Sequence, residues 1–270
     1  MKFIFLVLIL ISQLFSSVVK SPIVSVSKDE TMATIMVDKI DAGMSGFVYH
    51  EVAPGHGSIL KNVIVTSFDE KTKVASLRLT DYDALQNSAL PNGKWKVQEG
   101  DEVILAFGYT RGLLIAPNED IYYKISKNTN IQWVHPDIFA TILSFNQHPT
   151  PTLEDFLNMS ITTSTGLSFI YIDGRVYTVD SKSFKILSIS RVQLKQDSVK
   201  VPFYTRVPKI SSSWFSWGKG SSQMDDDEYS SHYYSLLIEA NPRSRQLYNI
   251  IKNADKELHD LLDDFELKER

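Results

Sequence analysis

Apolar residues fall along this chain in three textures, and each predicts a different kind of element. The first is a block. Lys2 precedes an unbroken apolar run over residues 3–11, and after Ser12 and Gln13 the mainly apolar stretch continues to Val19. A positive start and a core of this length form the pattern of an export signal, and the run falls short of the about 20 residues a spanning helix needs. We therefore expect a signal peptide over residues 1–20, with an uncleaved anchor and a buried first helix as alternative readings. Ser16, Ser17 and Ser21 offer small residues for cleavage, although no A-x-A triplet marks the position.

The second texture covers residues 21–108, where short runs of strand formers alternate with polar turns. Ile23, Val24 and Val26 lead into Ser27-Lys28-Asp29-Glu30, a turn, and residues 31–37 return as a second strand. Phe47, Val48 and Tyr49 follow Gly43 and Gly46. Residues 59–68 and 74–79 flank the polar stretch 69–73 as a hairpin, and residues 98–102 turn into an apolar strand over 103–107. So many short strands predict a small barrel or sandwich.

Beyond Gly108 the texture changes to alternating strands and helices. Residues 112–116 read as a buried strand stopped by Pro117. Asn118 is placed to cap a helix carrying Ile121, Tyr122 and Ile125, with Glu119 and Asp120 in its first turn. Ile131, Trp133 and Val134 form another strand, and residues 137–143 a short helix. Thr152 and Asp155 have capping-box spacing. Asp173-Gly174 between residues 167–172 and 175–179 marks a tight hairpin. From Ser211 the chain is rich in Ser, Gly and Asp, which reads as a linker, yet Trp214, Phe215 and Trp217 argue that part of it docks. Leu247, Ile250, Ile251, Ala254, Leu258, Leu261 and Leu262 then lie at helical spacing over about 244–266, for packing on the chain's own domain or on another helix.

The expected class is thus α+β. A small β-barrel or sandwich occupies residues 21–108 and a mixed α/β segment residues 109–210. A linker over 211–232 and a C-terminal helical tail over 233–270 complete the chain. Composition narrows the function. There is no Cys, so an exported form has neither a disulfide framework nor a cysteine nucleophile. The net charge is -4, with no basic patch interleaved with aromatics, which argues against a nucleic-acid partner. The later apolar runs are too short to span a bilayer.

Candidate chemistry is sparse. The six histidines include His50 and His56 around Pro54-Gly55, His135 before Pro136 and His148 before Pro149, without metal-ligand spacing. No G-x-S-x-G occurs, and Gly43-Met44-Ser45-Gly46 precedes a strand rather than a helix. Asp81-Tyr82-Asp83 reads as a cap for the segment that follows. The acidic run over 225–228 lacks the ligand spacing of a calcium loop and reads as solvated linker. No catalytic, cofactor-binding or metal residues are assigned. An envelope hydrolase with a site assembled only in space, around His50, His56 or His135 with a carboxylate nearby, stays open as the rival reading.

Longer segments carry more information together. Ala89-Leu90-Pro91, residues 97–105, Arg111-Gly112 through Pro117-Asn118, Trp133-Val134-His135-Pro136-Asp137-Ile138, residues 149–156, Gly166-Leu167, residues 179–185 and Val201-Pro202-Phe203-Tyr204-Thr205-Arg206-Val207 follow one another in fixed order. Over residues 20–210 they resemble the N-terminal domain of the plasminogen-binding surface proteins of Helicobacter, Campylobacter and related bacteria. The resemblance implies a non-enzymatic protein of the bacterial envelope, in the periplasm or at the cell surface, without a cofactor. It also implies host plasminogen as a partner, held through kringle domains that recognise a terminal lysine's ammonium and carboxylate. On this chain the matching positions are Lys268, Glu269 and Arg270; Arg270 departs from the lysine, its guanidinium being larger and planar. An envelope assembly or scaffold role through the C-terminal helix is the second reading.

Overall fold

The computed structural model describes residues 18–82, 95–208, 210 and 224–267. The expected signal peptide up to Ser17, Asp83, Ala89-Leu90-Pro91, the three aromatics Trp214, Phe215 and Trp217, and Lys268, Glu269 and Arg270 lie outside the described residues. No helix among the described residues is long and apolar enough to cross a membrane. The chain divides between Tyr109 and Thr110 into two units.

The first unit is a closed antiparallel barrel of β1 (Val19–Val26), β2 (Met32–Met36), β3 (Ser45–Ala53), β4 (His56–Asp69), β5 (Val74–Asp81) and β6 (Glu102–Leu105), in the order β1-β2-β5-β4-β3-β6. Alternate residues point inward and are buried: Ala33 and Ile35, Val63 and Val65, Ala75, Leu77 and Leu79, Val103 and Leu105. Closure is made by β1 against β6, with Ser21 opposite Val103. The Ser27 turn forms as expected: its hydroxyl oxygen accepts from the Thr31 and Met32 N–H groups at 3.2 and 3.0 Å. The expected strand over 103–107 is shorter than read. It stops at Leu105 because Ala106 and Gly108 take positive φ, 57° and 81°, and Phe107 turns out to 50% exposure. The segment that Asp81 is expected to cap lies outside the described residues. Asp81 ends β5, and its carboxylate takes the Lys61 ammonium of β4 at 2.6 Å.

The second unit is a five-stranded sheet of order β11-β10-β9-β7-β8, built from β7 (Arg111–Ile115), β8 (Gln132–Val134), β9 (Leu167–Ile172), β10 (Arg175–Asp180) and β11 (Ile186–Arg191). β7 runs parallel to β8 and β9, and β9 to β11 form an antiparallel meander through the Asp173-Gly174 turn. Between the parallel strands lie α1 (Glu119–Ser126), α2 (Pro136–Asn146) and α3 (Leu153–Thr163). Asn118 caps α1 by accepting from the Ile121 N–H, and Thr152 with Asp155 makes the capping box of α3.

Strand alternation separates two faces. Leu113, Ile115, Val134, Ile170, Ile172, Tyr177 and Val179 face one core, which they share with α2 and α3. Trp133 and Phe169 point the other way, their rings 5.1 Å apart, and the Trp133 indole N–H donates to the Ser126 carbonyl of α1. Gly112 lies between them: a Cβ there would stand 2.8 Å from Ile131 and 2.9 Å from Phe169.

The C-terminal region is helical as expected, but it begins earlier and is more deeply buried than a tail. Met224 is buried, and α4 (Tyr229–Ala240) starts inside the stretch read as linker. The acidic run 225–228 is solvated as expected, and it forms the lead-in to that helix. The Asp225 N–H donates to the Glu228 carboxylate at 2.9 Å, and the acids complement the helix's positive end. α4 is a core element, with Tyr229, Tyr233, Tyr234 and Leu237 buried in the main cluster. The expected helix over about 244–266 is interrupted. α5 (Arg245–Lys252) ends at Asn253, whose N–H bonds to Ile250, and a 3-10 turn run follows over Lys256–Asp264. Asn253 and Asp255 are residues whose side chains favour helix ends over interiors. The apolar stripe packs on its own unit: Leu247, Ile251 and Leu258 are buried, and Ile250, Ala254, Leu261 and Leu262 pack against the same core.

Candidate functional site

In an open parallel sheet, ligands bind outside the carboxyl ends of neighbouring strands whose connections leave to opposite faces. Here the chain leaves β7 towards α1 and β8 towards α2, so that crevice lies between Pro117-Asn118 and His135-Pro136-Asp137. It is occupied by residues 198–206 of the same unit. The Tyr204 N–H donates to Ala116 O at 2.7 Å and the Lys200 N–H to Pro117 O at 2.6 Å, while the Asn118 amide donates to Ser198 O at 2.9 Å. Phe203 stacks on Phe139 of α2, centroids 5.3 Å apart.

Asp137, in the first turn of α2, is the electrostatic centre. Its carboxylate accepts from the Thr205 hydroxyl at 2.8 Å, from the Arg206 N–H at 2.7 Å and from the Arg206 guanidinium at 2.7 Å. Burial opposes its charge, but these donors outweigh burial and hold its pKa down at about 2. His135 caps α2 by accepting the Asp137 N–H on Nδ1 at 3.2 Å; burial, partly offset by Asp137, lowers its pKa. The Tyr204 hydroxyl donates to Glu119 at 3.0 Å, and burial together with that carboxylate raises its pKa. The Asn118 amide, the Asp137 carboxylate and the Tyr204 hydroxyl are each engaged by partners within the unit. Three of the segments that carry the family resemblance meet at this point.

The barrel carries an open groove of about 510 Å³, walled by residues 49–51 on one side and 98–102 on the other. His50 Nδ1 lies 2.7 Å from the Asp101 carboxylate, whose second oxygen accepts the Gln98 N–H at 2.9 Å. This is the histidine–carboxylate pair in a polar cleft that a spatially assembled hydrolase would require. Among the described residues, no serine, threonine or cysteine lines the groove beside this pair.

The other histidines are dispersed. His56 sits exposed at the tip of the β3–β4 hairpin. His148 holds Asp155 at 2.9 Å, and buried His232 contacts Pro151 O at 2.9 Å, its pKa lowered by burial. No group of three metal-ligating side chains converges among the described residues. Sequence reasoning missed the Asp137–Arg206 and His50–Asp101 pairs. Their partners are 69 and 51 residues apart, and nothing local signals either one.

Lys268, Glu269 and Arg270 lie outside the described residues; the chain is anchored close before them. Phe265 meets Tyr248 edge-on at 5.3 Å, and the Glu266 N–H donates to Pro242 O at 2.8 Å.

These features define a β-barrel followed by an α/β unit whose strand-end crevice is filled from within. A family model described as the plasminogen-binding protein pgbA N-terminal region matches residues 18–237, and the chain belongs to that family. Similar curated proteins are two plasminogen-binding proteins PgbA of Helicobacter pylori. The protein of strain J99 is 25% identical over 166 residues, 61% of this chain and 36% of that protein. The protein of strain 26695 is 22% identical over 200 residues, 73% of this chain and 42% of that protein. The chain thus spans less than half the length of these relatives. No solved structure matches it.

Proposed function

We propose that this chain is an exported, non-catalytic binding protein of the bacterial envelope, with plasminogen as its ligand. The observation that carries the reading is the family match across both units. The filled crevice supports it, because a catalytic α/β unit keeps that position open for substrate. The apolar block after Lys2 supports export. Lys268 and Arg270 supply the cationic groups for the lysine-binding sites of kringles.

The test is binding to immobilised plasminogen by the full chain and by a chain ending at Leu267, each with and without a soluble lysine analogue. Binding that the analogue competes away, and that is lost on truncation, is the expected result. Equal binding by both chains would move the site off residues 268–270; no binding by either would remove plasminogen as the ligand.

A further inference from the structure

β3 outruns its neighbour. Its pairing with β6 covers Gly46 to Tyr49, ending with Tyr49 opposite Glu102, whereas its pairing with β4 continues to Ala53 opposite His56. The cause lies in the chain ahead of β6. Gly100 takes φ 92°, and the turn there bonds to β1: the Gly100 N–H donates to Ile23 O and the Ile23 N–H to Asp101 O, both at 2.9 Å. The wall of the barrel therefore splits. One side follows β1, while His50, Glu51, Val52 and Ala53 continue with β4 as a two-stranded ribbon. Among the described residues, no strand pairs with the other edge of that ribbon.

The groove of about 510 Å³ is this split. The His50–Asp101 bond crosses it at its base, and the His50 ring has Trp95 6.4 Å away. Its walls carry four carboxylates, Glu51, Glu99, Asp101 and Glu102. The Lys20 ammonium at 3.0 Å offsets Glu102, and His50 engages Asp101. Among the described residues, Glu51 accepts only the Gly55 N–H, and Glu99 is exposed. An open strand edge offers backbone donors and acceptors at fixed spacing, and the surplus negative charge selects the side chains that come with them.

We propose that this edge binds an extended peptide segment bearing lysine or arginine, added as a strand alongside residues 50–53 of β3. The ladder supplies affinity and register; Glu51 and Glu99 supply the preference for basic side chains. The site is in the barrel and independent of residues 268–270, so it stands or falls separately from the plasminogen reading.

The experiment measures binding of a capped, fluorescent hexapeptide of alternating valine and lysine to the full chain. Three companions are a valine–glutamate peptide, the same lysine peptide N-methylated on alternate backbone nitrogens, and the chain carrying Glu99→Lys. Thermal melting of Glu99→Lys checks that the barrel is intact; Glu99→Gln, which removes charge without reversing it, serves as the second variant. The lysine peptide is expected to bind at low salt and the glutamate peptide not to. N-methylation should weaken binding about tenfold or more and Glu99→Lys about fivefold or more, with Glu99→Gln between the latter and the parent chain. Equal binding of the N-methylated peptide would overturn strand addition, and indifference to both Glu99 substitutions would overturn the acidic selection. Absence of peptide binding together with concentration-dependent self-association would assign the edge to a second copy instead.

Discussion

Asp137 shows how much a single residue can organise. Three donors from Thr205 and Arg206 converge on its carboxylate and tie residues 198–206 into the strand-end crevice. With its pKa lowered from 3.8 to about 2, it contributes stability that is full above the ordinary carboxylate range. That stability, about 2 kcal/mol at most, is lost as pH falls from about 4 through about 2. Thr205→Val removes a buried donor and leaves the carboxylate short of a partner. We expect a loss of about 1–2 kcal/mol in urea unfolding at pH 7, and a smaller loss on acidification than in the parent chain. An identical acid limb in the variant and the parent would remove Asp137 from this role. The His135-Pro136-Asp137 sequence was legible as the start of a helix, whereas its partner Arg206 was not, because an ion pair across 69 residues leaves no local trace.

Elements were legible where local chemistry decides them. Asn118, Thr152 and the Asp173-Gly174 turn each act through groups within three residues, so sequence and structure agree. Packing against another element is a different matter, and two glycines separate its degrees. A Cβ at Gly46 would stand 2.0 Å from Ile104 O, in the backbone of β6. At Gly112 it would meet side chains at 2.8 Å and beyond, which can shift. Gly46→Ala should therefore cost more than about 3 kcal/mol or prevent the barrel from closing, and Gly112→Ala about 1–3 kcal/mol. Chemical unfolding of both variants checks the order; a milder Gly46→Ala would contradict the close contact of β3 with β6.

For the molecule as a whole, the C-terminal region is where expectation and structure part. A tail joined by a linker would be removable. Instead α4 places Tyr229, Tyr233 and Tyr234 in the main core, with the Tyr233 hydroxyl donating to Pro202 O at 2.7 Å. A chain ending at Gln223 should lose the cooperative unfolding of the α/β unit, seen by near-ultraviolet dichroism and proteolysis. Retention of a native α/β unit by that chain would show α4 to be dispensable. The burial of α4 had no local signature, because a helix buried on several sides loses the clean stripe that marks a surface helix.

The sequence by itself determined the apolar block at its start, the strand-rich and mixed halves, the helix caps and tight turns, and the family. Each depends on neighbouring residues or on the order of motifs along the chain. Only the tertiary structure decided that α4 is core, that the strand-end crevice is filled from within, and that β3 extends past β6 beside an acidic groove. Those outcomes depend on contacts between residues far apart in sequence, and no local pattern encodes them.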